Sequence, residues 1–214
     1  MDRKGLFVAF ESAPKCGKTT LSTKLASSMH QAFPNRAILW GHGALSNSEF
    51  AAKVKNRIIT DIRYSTAFYW ADLIFYTQDV IIPNLQKNNI VIQDRYDLSI
   101  ISYREVYGLY HDEILLEEYL KREFILHPDL TVFLEPSRDI MCERIRHAPE
   151  SSSIDKAFLD APPRLDAIQD RTRHYLAKFK RATLTLNTGS LSIDECINCI
   201  LGELQIKTKG GGQK

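Results

Sequence analysis

Residues 12–20, Ser-Ala-Pro-Lys-Cys-Gly-Lys-Thr-Thr, follow directly on the apolar run Leu6-Phe7-Val8-Ala9-Phe10 and open a stretch of helical character. An apolar strand that feeds a small, lysine-bearing loop into a helix is the arrangement of a nucleotide phosphate cradle. Consecutive backbone N–H groups converge at the helix N-terminus, where unsatisfied donors and the macrodipole both favour an anion. In such a loop Lys18 reaches the β- and γ-phosphates, Thr19 ligates Mg²⁺, and Gly17 lets the backbone approach the phosphate. Ser12, Ala13, Pro14, Lys15, Cys16 and Thr20 complete the candidate ATP-binding set. The usual leading glycine is Ser12 here, and serine is expected to make the turn at modest strain. A chance G-K-T would lack the framing strand and helix.

The rest of the chain agrees with one enzyme domain. A chain of 214 residues buries a sizeable core without disulfides. Its 28 basic and 26 acidic residues balance too closely to indicate nucleic-acid binding. No run reaches the roughly 20 apolar residues of a membrane span, and the first residues carry no signal-peptide pattern. The expectation is an intracellular, most simply cytoplasmic, protein. Cys16, Cys142, Cys196 and Cys199 form no disulfide framework, and a single C-x-x-C lacks the second ligand pair of a zinc site. Cys16, beside lysines at a helix N-terminus, reads as an oxidisable thiol or, more simply, as a small loop residue.

Short apolar runs at 5–11, 37–41, 90–94, 130–135 and 183–187 alternate with helical stretches. That alternation predicts an α/β fold, a doubly wound parallel five-stranded sheet, with ligands gathered beyond the carboxyl ends of the strands. A single domain is expected over 1–206 and a solvated, disordered tail over 207–214. Residues 146–164 mix serine, proline and charge between two helical stretches. They read as a lid flanked by Arg138, Arg144 and Arg146 on one side and Arg164, Arg171 and Arg173 on the other. A plain charged surface loop is the alternative.

Asp94-Arg95-Tyr96 stands at the end of the third run, placed to hold Mg²⁺ through Asp94 and a second phosphate through Arg95. Ser99, Ser102 and Tyr103 follow with hydroxyls for the acceptor, and Glu11, ending the first run, is a candidate to orient the acceptor sugar or a metal-bound water. A structural salt bridge is the blander account of Asp94 and Arg95.

Read together, these motifs resemble the thymidylate kinases among the P-loop nucleoside monophosphate kinases. Phe10 through Thr20 is similar to that family's F-E-G-x-D-x-x-G-K-T-T loop, and Val80 through Tyr96 to its helix followed by a D-R-Y/H strand. His127 through Leu134 is similar to its P-D-L-T strand, with Cys142-Glu143-Arg144-Ile145 in place of E-R-I. The resemblance implies ATP and Mg²⁺ at Lys18 and Thr19, the acceptor phosphate on Arg95, the metal organised by Asp94, and nucleotide contact from Arg144. Lys15 stands where some members carry an extra basic residue, which implies a role in charge stabilisation beside Arg144 or Arg146. Homodimers are common in the family, and the helix bearing Phe68, Trp70, Phe75 and Tyr76 either forms such an interface or fills this chain's own core.

The departures fall in the acceptor pocket. Pro14 replaces the family's loop aspartate, Gly41-His42-Gly43-Ala44-Leu45 replaces R-E-P-G-G, and Tyr69-Trp70-Ala71-Asp72-Leu73 replaces F-x-A-D-R. Stacking on a base survives at Tyr69. The base-edge bond does not survive at Leu73, and an unpaired buried polar edge costs roughly 1–3 kcal/mol. His42, Arg63 and Arg104 are the candidates for compensation. The expected function is therefore ATP- and Mg²⁺-dependent phosphorylation of dTMP to dTDP. The alternatives are another nucleoside monophosphate or deoxynucleoside as acceptor and, in a different class, a non-catalytic nucleotide-binding regulator.

Overall fold

In the computed structural model, which describes residues 4–42, 62–107, 125–149 and 153–210, the five apolar runs hydrogen-bond side by side as strands. They are β1 (Leu6–Glu11), β2 (Ile38–His42), β3 (Ile90–Asp94), β4 (Leu130–Leu134) and β5 (Thr183–Leu186). The order is β2-β3-β1-β4-β5 and every pairing is parallel. A parallel neighbour must be reached by a crossover, and the intervening helices supply it: α1 (Lys18–Ala32), α2 (Ile62–Tyr76), α3 (Ile82–Gln86), α4 (Asp97–Val106), α5 (Arg138–His147), α6 (Ser153–Asp160), α7 (Pro163–Lys178) and α8 (Ile193–Gly210). A π-helical turn, Thr77–Ile81, joins α2 to α3. Pro83 at the start of α3 has no N–H to return to the preceding turn, and the wider turn before it accommodates that missing bond.

Strand side chains alternate between two cores. Leu6, Val8 and Phe10 of β1 pack with Leu21, Leu25 and Met29 of α1, Met141 and Ile145 of α5, and Ile197, Ile200 and Leu204 of α8. Phe7 and Ala9 face the other way, onto Trp70 and Leu73 of α2, Leu98 and Ile101 of α4, and Tyr175 and Leu176 of α7. Strands buried on both faces read as continuous apolar runs, which is how these five appear in the sequence.

Trp70, 5% exposed, belongs to this second core, whereas Phe75 on the same helix is 66% exposed. The helix α8 opens with a capping box: Glu195 N–H donates to Ser192 Oγ at 3.3 Å, and Ser192 N–H donates to Glu195 Oε2 at 2.8 Å. It continues through 207–210, so regular helix takes in half of the segment expected as a solvated tail; 211–214 lie outside the described residues. On α8 Cys196 is buried and Cys199 exposed, and no group of histidine, cysteine and carboxylate residues among the described residues could hold a metal ion. None of the described helices is long and apolar enough to cross a membrane.

Candidate active site

Because all strands run the same way, their carboxyl ends lie on one edge. Phe10 of β1 and His42 of β2 both lie in register with Asp94 of β3. Above this edge lies a cleft of about 790 Å³, lined by the phosphate loop and α1 on one side and by Arg95, Arg144, Asp155, Thr188 and Leu191 on the other.

The phosphate loop turns where its sequence allows. Gly17 takes φ 95° and Lys15 φ 57°, whereas Ser12 is outside the left-handed region, so no such strain arises from serine in place of glycine. The Ser12 hydroxyl instead donates to the Leu134 carbonyl at the end of β4. Gly17 precedes α1 without a side-chain cap, and the first turn of α1 carries no acid. The N–H groups of that turn thus face the cleft with the positive end of the helix dipole unopposed by any side chain of their own.

Lys18, 3% exposed, donates to the carbonyls of Ser12 and Ala13, which holds its ammonium over the loop. Burial, with Arg95 nearby, lowers its pKa to about 8 against the opposing pull of Asp94 and Glu11. Thr19 Oγ1 donates to Asp94 Oδ2 at 2.6 Å, and His42 Nδ1 lies 2.7 Å from the same oxygen. Burial raises the Asp94 pKa, but the His42 bond, Lys18, Thr19 and Arg95 outweigh it and keep the carboxylate ionised. Asp94 Oδ1 is buried without a hydrogen-bond partner. An exposed hydroxyl on an ionised carboxylate, beneath a cradle for phosphate, fits a hard cation held through Thr19 and water.

Arg95 sits at φ 68° at the end of β3, a conformation that costs an arginine about 1–2 kcal/mol. Its N–H donates to the Phe10 carbonyl at 3.0 Å. From there the guanidinium lies over the Tyr103 ring, 5.3 Å from its centre, and donates to the Tyr103 hydroxyl at 3.2 Å. Burial pushes the Tyr103 hydroxyl up to about 12 against the pull of Arg95. Tyr69 on α2 lies within the field of Arg95, half-buried, its own hydroxyl raised by burial. Leu73, one turn on, is fully buried in the second core.

Three residues expected at the acceptor have their side chains bonded inside the protein. Glu11, 1% exposed, accepts from Tyr96 N–H at 3.1 Å, Leu98 N–H at 3.0 Å and the Ser99 hydroxyl. The reason is that α4 starts without a side-chain cap from its own Ncap, so the end of β1 satisfies its first donors. Ser102 is fully buried and accepts from Thr172 Oγ1 at 2.9 Å, tying α4 to α7. Glu11, Ser99 and Ser102 therefore shape the floor beneath Arg95 rather than face the cleft.

The segment 146–164 also differs from an irregular loop. Its described residues are the end of α5, the helix α6 and the start of α7, with 150–152 outside the described residues. Phe158 anchors α6, 1% exposed and edge-on to Tyr103 and Tyr107 at 6.4 Å each. Most of the flanking arginines make local contacts: Arg138 pairs with Asp166, Arg171 with Glu105, Arg173 with Glu135 and Asp170, and Arg164 lies over Tyr107. Arg146 is exposed and, unlike Arg144, His147 and Ala148, does not line the cleft. Arg144 lines it, donating to Lys15 O at 3.2 Å, Thr188 Oγ1 at 3.1 Å and Thr188 O at 2.6 Å. Lys15 pairs with Asp155 of α6 at 3.4 Å. Cys16 is fully buried, with Met141 Sδ at 3.4 Å, and fills a gap in the loop as a small residue.

Sequence reasoning missed Thr188, Asp155 and the bond from His42 to Asp94. The place of Thr188 just beyond the end of β5 was readable from the chain, but its bonds to Arg144 were not. Of the acceptor-pocket departures, 43–45 and Arg63 lie outside the described side chains.

The family model for thymidylate kinase matches residues 10–198. This chain belongs to the thymidylate kinase family. A thymidylate kinase of Staphylococcus epidermidis is 29% identical over 154 residues, covering 70% of this chain and 74% of its own length. One from Prochlorococcus marinus is 30% identical over 156 residues, covering 64% and 70%. The crystal structure of thymidylate kinase from Ehrlichia chaffeensis superposes with a TM-score of 0.69 at 19% identity, over 94% of this chain and 98% of that one. At that identity the superposition speaks for the fold alone. The thymidylate kinase match spans the phosphate loop, Asp94-Arg95, Arg144 and the helix α6 alike.

Proposed function

We propose that the protein transfers the γ-phosphoryl group of ATP to the phosphate of dTMP, releasing dTDP and ADP. One observation carries the reading: the uncapped, acid-free start of α1 opens into a cleft that also holds Lys18, Arg95 and Arg144. Phosphoryl transfer spreads charge over the equatorial oxygens of the moving group, and the acceptor phosphate is already a nucleophile. The task is therefore positioning and cation placement rather than proton abstraction.

In this reading the N–H groups of the loop and Lys18 hold the β- and γ-phosphates of ATP. Arg144, fixed by Thr188 and the Lys15 carbonyl, borders the ATP side, with Leu191 and Ile193 as apolar lining. Arg95, oriented by its left-handed backbone and by Tyr103, grips the acceptor phosphate, and Tyr69 offers its ring to the acceptor base. Lys15 exchanges Asp155 for phosphate. Thr19 and Asp94 would hold Mg²⁺, which would supply positive charge against the phosphates of ATP.

The test is ADP release with ATP and Mg²⁺ against a panel of dTMP, dUMP, other nucleoside monophosphates and thymidine. The reading predicts turnover with dTMP well above every other acceptor. Turnover confined to a different acceptor would turn Pro14 and Leu73 into specificity changes and overturn the dTMP assignment.

A further inference from the structure

The end of β2 carries a histidine where the family resemblance led to an arginine-bearing segment, and its geometry serves the cation side of the site rather than the acceptor. His42 has a side chain 53% exposed and lines the cleft, yet its Nδ1 lies 2.7 Å from an oxygen of the wholly buried Asp94. The Asp94 oxygen already accepts from Thr19, and a carboxylate oxygen offers lone pairs, so the ring donates to it from Nδ1–H. The ring is itself held: Trp40 stacks on it with centroids 6.2 Å apart and donates from Nε1 to Ser22 Oγ at 2.9 Å, while Ser22 Oγ donates to the Thr19 carbonyl at 3.2 Å. The strand β2 therefore grips Thr19 from two directions, through Asp94 at its hydroxyl and through Ser22 at its backbone.

Asp94 Oδ2 takes two donors, Thr19 and His42, while Oδ1 takes none. A single donor on one oxygen leaves the plane of a carboxylate less defined than two do. Two donors on one oxygen set the plane, and with it the direction in which Asp94 accepts from Thr19. We propose that His42 is a positioning residue for the metal-bearing edge of the site, fixing Asp94 so that the Thr19 hydroxyl presents its oxygen toward the cation that accompanies ATP. Partners of this kind, one bond removed from a metal site, change metal affinity by about 10–100-fold when removed.

The inference rests on the proposed placement of the cation at Thr19 and Asp94, and its test needs no acceptor and no turnover. ATP affinity is measured by calorimetry with Mn²⁺ and with a chelator, and the ratio of the two affinities is the metal's contribution. In the folded wild type Mn²⁺ should strengthen ATP binding. His42→Ala should shrink that enhancement by about tenfold and leave metal-free ATP binding within twofold. His42→Asn, whose amide N–H can stand near the Nδ1 position, should restore most of it. The electron paramagnetic resonance spectrum of bound Mn²⁺ should broaden in His42→Ala and recover in His42→Asn. In the Asp94→Asn background His42→Ala should add less than twofold, because its effect travels through Asp94. An undiminished enhancement in folded His42→Ala, additive effects of the two changes, or an equal loss of metal-free ATP binding would each overturn the proposal. A wild type that binds ATP with no help from Mn²⁺ would overturn the cation site itself, and His42's part with it.

Discussion

Burial pushes the Glu11 carboxyl up to about 7, reinforced by the neighbouring Asp97 and opposed by the Ser99 hydroxyl, Lys18 and Arg95. An unfolded glutamate titrates near 4.3. Between these values the folded state holds a proton that the unfolded state has released, so stability from this group is full below the unfolded pKa and lost as pH rises toward 7. Glu11→Gln keeps an acceptor for Tyr96 and Leu98 but cannot ionise. Its melting temperature should gain on the wild type between pH 5 and pH 7.5, as read by thermal unfolding at each pH. A constant difference would mean that Glu11 keeps an ordinary pKa. The two arginines at the end of α5 should separate cleanly. Arg144→Ala removes charge-assisted bonds to the phosphate loop and Thr188, each worth about 1.5–3 kcal/mol, and should raise KM for ATP by about tenfold or more. Arg146→Ala, on the exposed face, should stay within twofold in the same steady-state assay.

Among the elements, α6 is anchored to the core by Phe158, with Leu159 packed beside it. Phe158 is 1% exposed against Tyr103 and Tyr107. Phe158→Ala should cost about 3–5 kcal/mol and lower Tm by about 10 °C. Amide exchange should accelerate in α6 well before it does in β1. The ion pair between Lys15 and Asp155, with both side chains about a quarter exposed, contributes at most about 1 kcal/mol and cannot hold α6 alone. This helix also shows where sequence reading stopped. Its Ser-Ser-Ser entry and the Ala-Pro-Pro that follows it look like loop composition, and the contact that makes it a helix of the core, Phe158 on Tyr103, joins residues 55 positions apart. The strands were legible because burial on both faces leaves an unbroken apolar run, and the phosphate loop because its parts are consecutive. Glu11 capping α4, Thr188 holding Arg144 and His42 holding Asp94 were not legible, because each joins residues 44 or more positions apart and no local spacing records them.

At the scale of the whole molecule, the parallel order β2-β3-β1-β4-β5 places the segments that follow or end β1, β2, β3 and β5 around one cleft, with helices sealing both faces behind it. The sheet thus delivers Lys18, Thr19, Asp94 and Arg95 to one place from segments that are far apart in the chain, and membership of the thymidylate kinase family gives that convergence its reaction. The most direct measurement is dTDP formed from dTMP, ATP and Mg²⁺, separated by chromatography, for the wild type beside Lys18→Ala with both proteins shown to be folded. The account predicts dTDP from the wild type and a loss of about a hundredfold or more in the variant, the scale at which a charge-stabilising donor is removed from a transition state. Equal dTDP from Lys18→Ala, or none from a wild type that binds ATP, would contradict it.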